Sequence, residues 1–142
     1  MVVGEDGRMP LPWLAEPLQQ ALAQQRTHAL LVQAADGAGA LEFMLTLAQA
    51  WLCEAGSATR PCGRCGSCRL VQSRSHPDLH VLLPQAQRAG WGADSADDGD
   101  SGKTRKKPSR QIKIDEVRAA IDWIVQTTSR GQAKVLVLHP AE

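Results

Sequence analysis

The chain has 142 residues, 43% of them hydrophobic, and a formal net charge of +1 at pH 7. That length and apolar content predict one globular core and exclude an intrinsically disordered chain. The small charge excludes a general electrostatic pull toward nucleic acid or membranes, and no apolar run is long enough to span a bilayer. The opening residues lack the basic start and apolar centre of a signal peptide, so we expect a cytoplasmic protein.

Apolar residues at helical spacing predict the first two helices. After a proline-marked lead-in, a short amphipathic helix is expected over 16–26. A longer helix is expected over 40–52, where Met44 and Trp51 are interpreted as core residues because of their spacing. The predicted buried stripe of this helix comprises Leu41, Met44, Leu45, Ala48 and Leu52.

Three short apolar runs predict strands over 29–32, 79–83 and 134–138. The first run lacks polar alternation, which is typical of strands buried on both faces of a parallel sheet. Between the second and third runs a helix is expected, with Asp115 as its N-cap. This alternation of strands and helices predicts a parallel α/β sheet. The predicted buried stripe of the last helix comprises Val117, Ile121, Ile124 and Val125.

The chain stops soon after the apolar run 135–138, which has the composition of a central strand. A central strand of a parallel sheet normally continues into another crossover and another strand. We therefore expect residues 1–142 to form an incomplete, truncated domain.

All four cysteines lie between residues 53 and 68, in the spacing C-x8-C-x2-C-x2-C. In a cytosolic chain such a cluster is more often a metal site than a set of disulfides. Zinc takes four thiolates in a tetrahedron, and tight C-x2-C turns let neighbouring cysteines reach one ion. The sequence therefore predicts a small inserted module that holds one structural zinc ion through Cys53, Cys62, Cys65 and Cys68.

Other interpretations of the cysteine module stay open at this stage. One C-x2-C pair has the spacing of a redox motif, and four thiolates also suit an iron–sulfur cluster. His76 and His80 are nearby imidazoles that offer further ligands. Gly63 and Gly66 lie inside the two turns, where a positive φ or a close backbone approach is useful. A short helix is expected to follow over 65–73.

The turn before the long helix invites comparison with the phosphate-loop pattern G-x-x-x-x-G-K-[ST]. Aligned on that pattern, the first glycine falls on Ala34 and the second on Gly39, and Gly37, Gly39 and the start of a helix preserve the backbone geometry of such a loop. The lysine position is Ala40 and the Ser/Thr position is Leu41. The ammonium for the phosphates and the hydroxyl for Mg²⁺ are therefore missing. We interpret 34–41 as a degenerate phosphate loop that does not bind ATP tightly.

Residues 85–109 differ in composition from the rest of the chain. Glycines and aspartates precede a basic run, and almost nothing except Trp91 is suited to burial. We expect a flexible, charge-segregated loop. Its basic half has the charge to contact a phosphate backbone, although most charge runs are simply solvated. The basic residues are Lys103, Arg105, Lys106 and Lys107.

Taken together, these residues resemble the N-terminal part of the delta-prime subunits of the bacterial DNA polymerase III clamp loader, a family of AAA+ proteins. The cysteine module at this place in the predicted fold is the most specific feature of the resemblance. The other matching segments are 12–14, 28–33, 68–72, 75–78, 114–118 and 133–135.

The resemblance implies an AAA+ fold with a zinc module inserted after the phosphate-loop helix, and it implies zinc on the four cysteines. The gamma/tau subunits share the module but carry an intact phosphate loop, so Ala40 and Leu41 favour the non-hydrolysing type of subunit. Such a subunit works by protein contacts within a polymerase holoenzyme. Its implied partners are gamma/tau, delta, the sliding clamp and primed DNA. The lid and collar domains of the family are absent from these residues.

Two alternative functions are kept. One is an active clamp-loader ATPase of the gamma/tau type with an unusual loop. The other is a small zinc module that binds nucleic acid directly through the basic run 103–107 and through Arg60, Arg64 and Arg69.

Overall fold

The computed structural model describes residues 2–24, 28–56, 59–91, 109–131 and 133–141. Within these ranges the helices include none that is long and apolar enough to cross a membrane. The elements found there, in chain order, are a 3₁₀ helix (Pro12–Leu14), α1 (Ala15–Ala23), α2 (Ala40–Leu52), α3 (Gly66–Gln72), β1 (Leu79–Leu82), α4 (Gln85–Trp91), α5 (Ile114–Ile124) and β2 (Val135–Leu138).

Strands β1 and β2 pair in parallel, with Leu79 opposite Val135. The ladder extends to the N–H of His139, which donates to the Leu82 carbonyl at 3.1 Å. Parallel neighbours need a long crossover connection, and α5 supplies it while contacting both strands. The parallel order predicted for these two runs is therefore confirmed.

Helix α2 is the centre of the hydrophobic core. Its Ala48 and Leu52 are buried against Val71 of α3 and against Val135 and Val137 of β2. From Leu45 onward, residues on every side of α2 are buried, so the burial extends beyond the single stripe that was predicted and the helix lies inside the core. The interpretation of Met44 and Trp51 as core residues is confirmed, because both pack against this cluster.

The strand predicted over 29–32 is wrong for this structure. Residues 28–33 are described and take no part in a ladder, and the side chains of Leu30 and Leu31 are 50% and 74% exposed. An apolar run predicts burial, but a strand also needs a hydrogen-bonding neighbour. In the described ranges the sheet has two strands, which pair with each other.

Two expectations for α5 are also corrected. Its N-cap is Lys113 rather than Asp115, and the N–H of Lys113 donates to the Glu116 carboxylate at 3.2 Å. The predicted buried stripe is largely exposed, and Val125 keeps 79% of its surface in contact with solvent. The small Ala120 is the fully buried residue of α5. Helix α5 contacts both strands, but within the predicted stripe Val117 is half-buried and the other three residues are exposed.

The segment predicted as a loop over 85–109 begins with a helix, α4, which spans residues 85–91. Arg88 anchors it by donating to the Leu83 carbonyl at 3.0 Å and by pairing with the carboxylate of Glu116. The Arg74 guanidinium lies 5.0 Å from the ring of Trp91. Residues 92–108, which contain the basic run 103–107, lie outside the described residues.

Asp78 joins the start of β1 to the segment that follows α5. Its buried carboxylate accepts hydrogen bonds from the N–H groups of Ser129 at 2.7 Å and Arg130 at 2.9 Å. Its own N–H donates to Nδ1 of His76 at 3.0 Å. Burial by itself raises the pKa of Asp78, but the two backbone donors outweigh it and hold that pKa below its usual value. An ionised carboxylate therefore fixes the 129–130 segment beside the sheet.

We expect Asp78→Asn to lower the free energy of unfolding at pH 7 by about 1–3 kcal/mol, because the amide has one acceptor oxygen for the two backbone donors that the buried carboxylate satisfies. Urea unfolding measures this loss, with Asp115→Asn on the exposed face of α5 as the matched control. The folded-state pKa of Asp78 is depressed, so its contribution is present above the unfolded pKa and is lost as the pH falls through the folded one. The stability difference from the native chain should shrink below about pH 4. A difference that stays constant down to pH 3 would contradict this account.

Candidate metal centre and the turn before α2

The four cysteines converge at the C-terminal end of α2. Their sulfur atoms all lie within 4.8 Å of one another, and none of them forms a disulfide. Cys53 follows α2 directly, whereas Cys68 lies in the first turn of α3. The Cys62–Cys68 and Cys53–Cys65 pairs have Sγ–Sγ distances of 3.9 Å. A Zn–S bond of about 2.3 Å gives a tetrahedron with edges of about 3.8 Å, so the sulfur positions fit one zinc ion.

Backbone N–H groups point at the sulfur atoms. Cys62 accepts from the N–H groups of Arg64 at 3.5 Å and Cys65 at 3.3 Å. Cys65 accepts in turn from the N–H of Cys68 at 3.4 Å, and Cys53 accepts from that of Ala55 at 3.4 Å. Hydrogen-bond donors favour the charged form of an acceptor, so these turns are built to hold thiolates, the form that binds metal.

The thiols differ in how easily they ionise. Burial opposes ionisation of Cys62, yet the N–H groups of Arg64 and Cys65 outweigh it and lower its pKa to about 6. Burial raises the pKa of Cys68 and, to a smaller extent, that of Cys53. A metal ion supplies the positive charge that lets all four sulfur atoms ionise together. The donor set can therefore bind a metal ion and is compatible with zinc.

The two nearby histidines do not belong to this cluster. Among the described residues, the group close enough to hold a metal ion consists of the four cysteines. His76 is buried and bonded through Nδ1 to the N–H of Asp78. His80 lies against the ring of Trp123, with the ring centroids 5.3 Å apart. Both imidazoles serve packing around β1.

An ion-pair network that the sequence did not reveal ties the module to the segment after α5. Arg130 donates to the Glu54 carboxylate from Nε at 2.9 Å and from Nη2 at 2.6 Å. Ser67 also donates to Glu54, at 3.0 Å. The guanidinium lies so close to Gly66 that a side chain there would collide with it. The end of a flexible side chain can shift, so Gly66 permits this close approach without being indispensable to the turn, whereas Gly63 has the positive φ of 73° expected of a tight turn.

The end of the turn next to α2 is contacted by the N-terminal segment 11–13, whereas residues 34–37 are exposed. Gly39 caps α2 with a φ of 91°, and a Cβ there would overlap a methyl group of Leu11. The indole N–H of Trp13 donates to the Ala38 carbonyl at 3.3 Å. Glu42 places a carboxylate in the first turn of α2, where a phosphate would need positive charge. The surroundings of the turn are thus apolar on one side and acidic on another.

The arginines of the module are engaged within the chain. Arg60 donates to the Ala55 carbonyl at 2.9 Å, and Arg64 donates to the Glu5 carbonyl at 2.9 Å. Arg69 pairs with the Glu5 carboxylate at 3.2 Å. The Glu5 carboxylate offsets the charge of Arg69, whereas the bonds to carbonyl oxygens hold Arg60 and Arg64 against the chain without removing their charge.

A parallel strand pair, a helix-capping glycine turn and a four-cysteine module between α2 and α3 define the class of protein. The arrangement is consistent with the N-terminal part of an AAA+ domain. A family described as "DNA polymerase III, delta subunit" matches residues 12–142, and the chain belongs to this family.

Three curated relatives are each named DNA polymerase III subunit delta'. The chain is 30% identical over 135 residues to that of Yersinia pestis, with 92% of this chain and 34% of the relative covered. The Pseudomonas aeruginosa relative is 30% identical, with 89% and 34% covered, and the Haemophilus influenzae relative is 32% identical, with 92% and 34% covered. The chain thus spans about a third of the length of these relatives. No solved structure matches the chain significantly.

Proposed function

We propose that this domain belongs to a non-hydrolysing subunit of the DNA polymerase III clamp loader, which helps to load the sliding clamp onto primed DNA. Membership of a family named for DNA polymerase III subunits supports this proposal. The observation that carries it is the turn before α2. Ala40 and Leu41 stand where a phosphate loop needs an ammonium and a hydroxyl, and Leu11 lies over Gly39.

In this proposal the domain acts through protein contacts and does not hydrolyse ATP. The gamma/tau subunits supply the ATPase activity, and the delta subunit completes the assembly that handles clamp and primed DNA. Polymerisation, a nucleotidyl transfer, belongs to the holoenzyme as a whole. Such a protein works in the bacterial cytoplasm, where clustered thiols are suited to metal binding.

The cysteine module is proposed to hold one structural zinc ion through Cys53, Cys62, Cys65 and Cys68. When bound, the ion cross-links the end of α2 to α3, and its binding energy becomes folding energy of the module. Four sulfur ligands leave no coordination position for water, so the ion has no part in hydrolysis. The sulfur spacing and the N–H donors support this assignment.

Elemental analysis of the purified protein should find about one zinc per chain, since four thiolates satisfy one ion. Cys62→Ser should lower the zinc content and expose residues 53–68 to protease, while far-UV circular dichroism retains most of the helix signal. Ser75→Ala, outside the module, is the control and should change neither. The zinc assignment would be contradicted by a zinc-free protein in which the module is still protease-resistant. It would also be contradicted if mass spectrometry found disulfides among the four cysteines.

Calorimetric titration with MgATP should show no saturable binding, because the turn lacks a cation and carries Glu42. Ala40→Lys with Leu41→Thr should make weak MgATP binding detectable, because one or two charge-assisted hydrogen bonds strengthen binding by roughly tenfold. Leu11→Ala in the same background should raise the affinity further by uncovering Gly39. Ala40→Arg with Leu41→Val is the control, since it adds charge without the hydroxyl. Tight Mg²⁺-dependent binding by the native chain would instead favour the ATPase alternative.

The full-length protein should co-elute with the gamma/tau and delta subunits from the same organism in size-exclusion chromatography. The ATP turnover of the assembly should disappear when the phosphate-loop lysine of gamma/tau is replaced, since this domain contributes no ATPase site. Failure to co-elute with any of these subunits would refute the clamp-loader proposal and would leave the zinc assignment untouched.

A further inference from the structure

Residues 2–5, which precede the family match at residue 12, are docked on the cysteine module. We call them the N-terminal strap. Val3 is buried, and the side-chain amide of Gln49 bonds both of its backbone groups. Oε1 of Gln49 accepts from the Val3 N–H at 2.9 Å, and Nε2 donates to the Val3 carbonyl at 2.9 Å. A primary amide carries a donor and an acceptor, so it pairs with one residue as a neighbouring strand does.

The strap also contacts α3 and the first C-x2-C turn. Nε2 of Gln72 donates to the Val3 carbonyl at 2.9 Å and to the Gly63 carbonyl at 2.7 Å, so it joins the strap to the turn after Cys62. A Cβ on Gly63 would overlap the Gly4 carbonyl oxygen, which means that the two backbones are in direct contact.

The end of the strap is held by arginines of the module. The Glu5 carbonyl accepts from Nε of Arg64 at 2.9 Å, and the Glu5 carboxylate pairs with Arg69 at 3.2 Å. One short segment therefore touches α2, the 62–65 turn and α3. These parts of the chain carry Cys62, Cys65 and Cys68, and Cys53 directly follows α2.

We propose that the groove lined by Gln49, Gly63 and Gln72 is a binding site for an extended peptide main chain, and that its occupation by the strap slows metal release from the module. Recognition is through main-chain hydrogen bonds at Val3 and through the acidic side chain of Glu5. Gln49 also lies 3.5 Å from the Cys68 carbonyl, so the same amide supports the backbone of a ligand residue. Outer partners of this kind commonly change metal affinity by about 10–100-fold. The inference rests on the proposed zinc site.

The test uses the zinc-loaded chain and the rate of zinc release to a chromogenic chelator. Deleting residues 2–5 should speed release by about tenfold. Glu5→Lys keeps the backbone of the strap but reverses the charge of the side chain that faces Arg64 and Arg69. Zinc release should then be about two- to fivefold faster. Asp6→Lys makes the same charge change one residue away and should leave the rate unchanged, because Asp6 pairs with Arg8. Circular dichroism confirms that each variant is folded.

Hydrogen exchange of the Val3 amide tests docking without reference to the metal. An amide N–H that is hydrogen-bonded to a buried side chain exchanges slowly, whereas an amide N–H in an undocked chain end exchanges rapidly. Exchange of Val3 at the unprotected rate would overturn the proposal. Release from the deletion variant within a factor of about two of the native rate would also overturn it. A protein that holds no zinc overturns the zinc assignment and with it the proposed effect on metal release, whereas a protected Val3 amide would still support the peptide groove.

Discussion

The crowding of four sulfur atoms at the C-terminal end of α2 is the constraint on which the rest of this region depends. Sulfur atoms only 3.9 Å apart cannot all carry negative charge unless a cation lies among them. Cys53 directly follows the helix that forms the core, and Cys68 lies in the first turn of the next helix. A cation that balances the charge of these thiolates therefore also determines how α2 and α3 pack against each other.

The module is held against the rest of the domain from two sides. Arg130 reaches Glu54 from the segment after α5, and Asp78 fixes that segment through its backbone. On the other side the N-terminal strap lies between Gln49 and Gln72. Contacts so far apart in sequence tie the module to the rest of the domain. Moving the module would break the Arg130–Glu54 ion pair on one side and the buried Gln49–Val3 hydrogen bonds on the other.

In the proposed function, the two ends of α2 have different roles. Its C-terminal end leads into the cysteine module, whereas its N-terminal end keeps the capping turn of a nucleotide-binding fold without the side chains for phosphate. A helix N-terminus attracts anions, but Leu11 and Glu42 occupy the surroundings of this one. A domain of this kind suits a role as a scaffold for contacts within an assembly.

The sequence by itself predicted the regions of α1, α2, α3 and α5 and the parallel pair, and it identified the four cysteines as a candidate metal site, but α4 lies in a segment that its composition predicted to be a loop. Periodicity and C-x2-C spacing are local properties, so α2 and α3 could be predicted from their own residues. The tertiary structure alone decided which apolar runs are buried. Leu31 and Val125 have the composition of core residues but lack covering partners in the described part of the chain. Only the tertiary structure shows that the strap binds Gln49 and that Arg130 pairs with Glu54. These partners are 46 and 76 positions apart in the chain, and hydrogen bonds over such separations leave no periodic signal in the sequence.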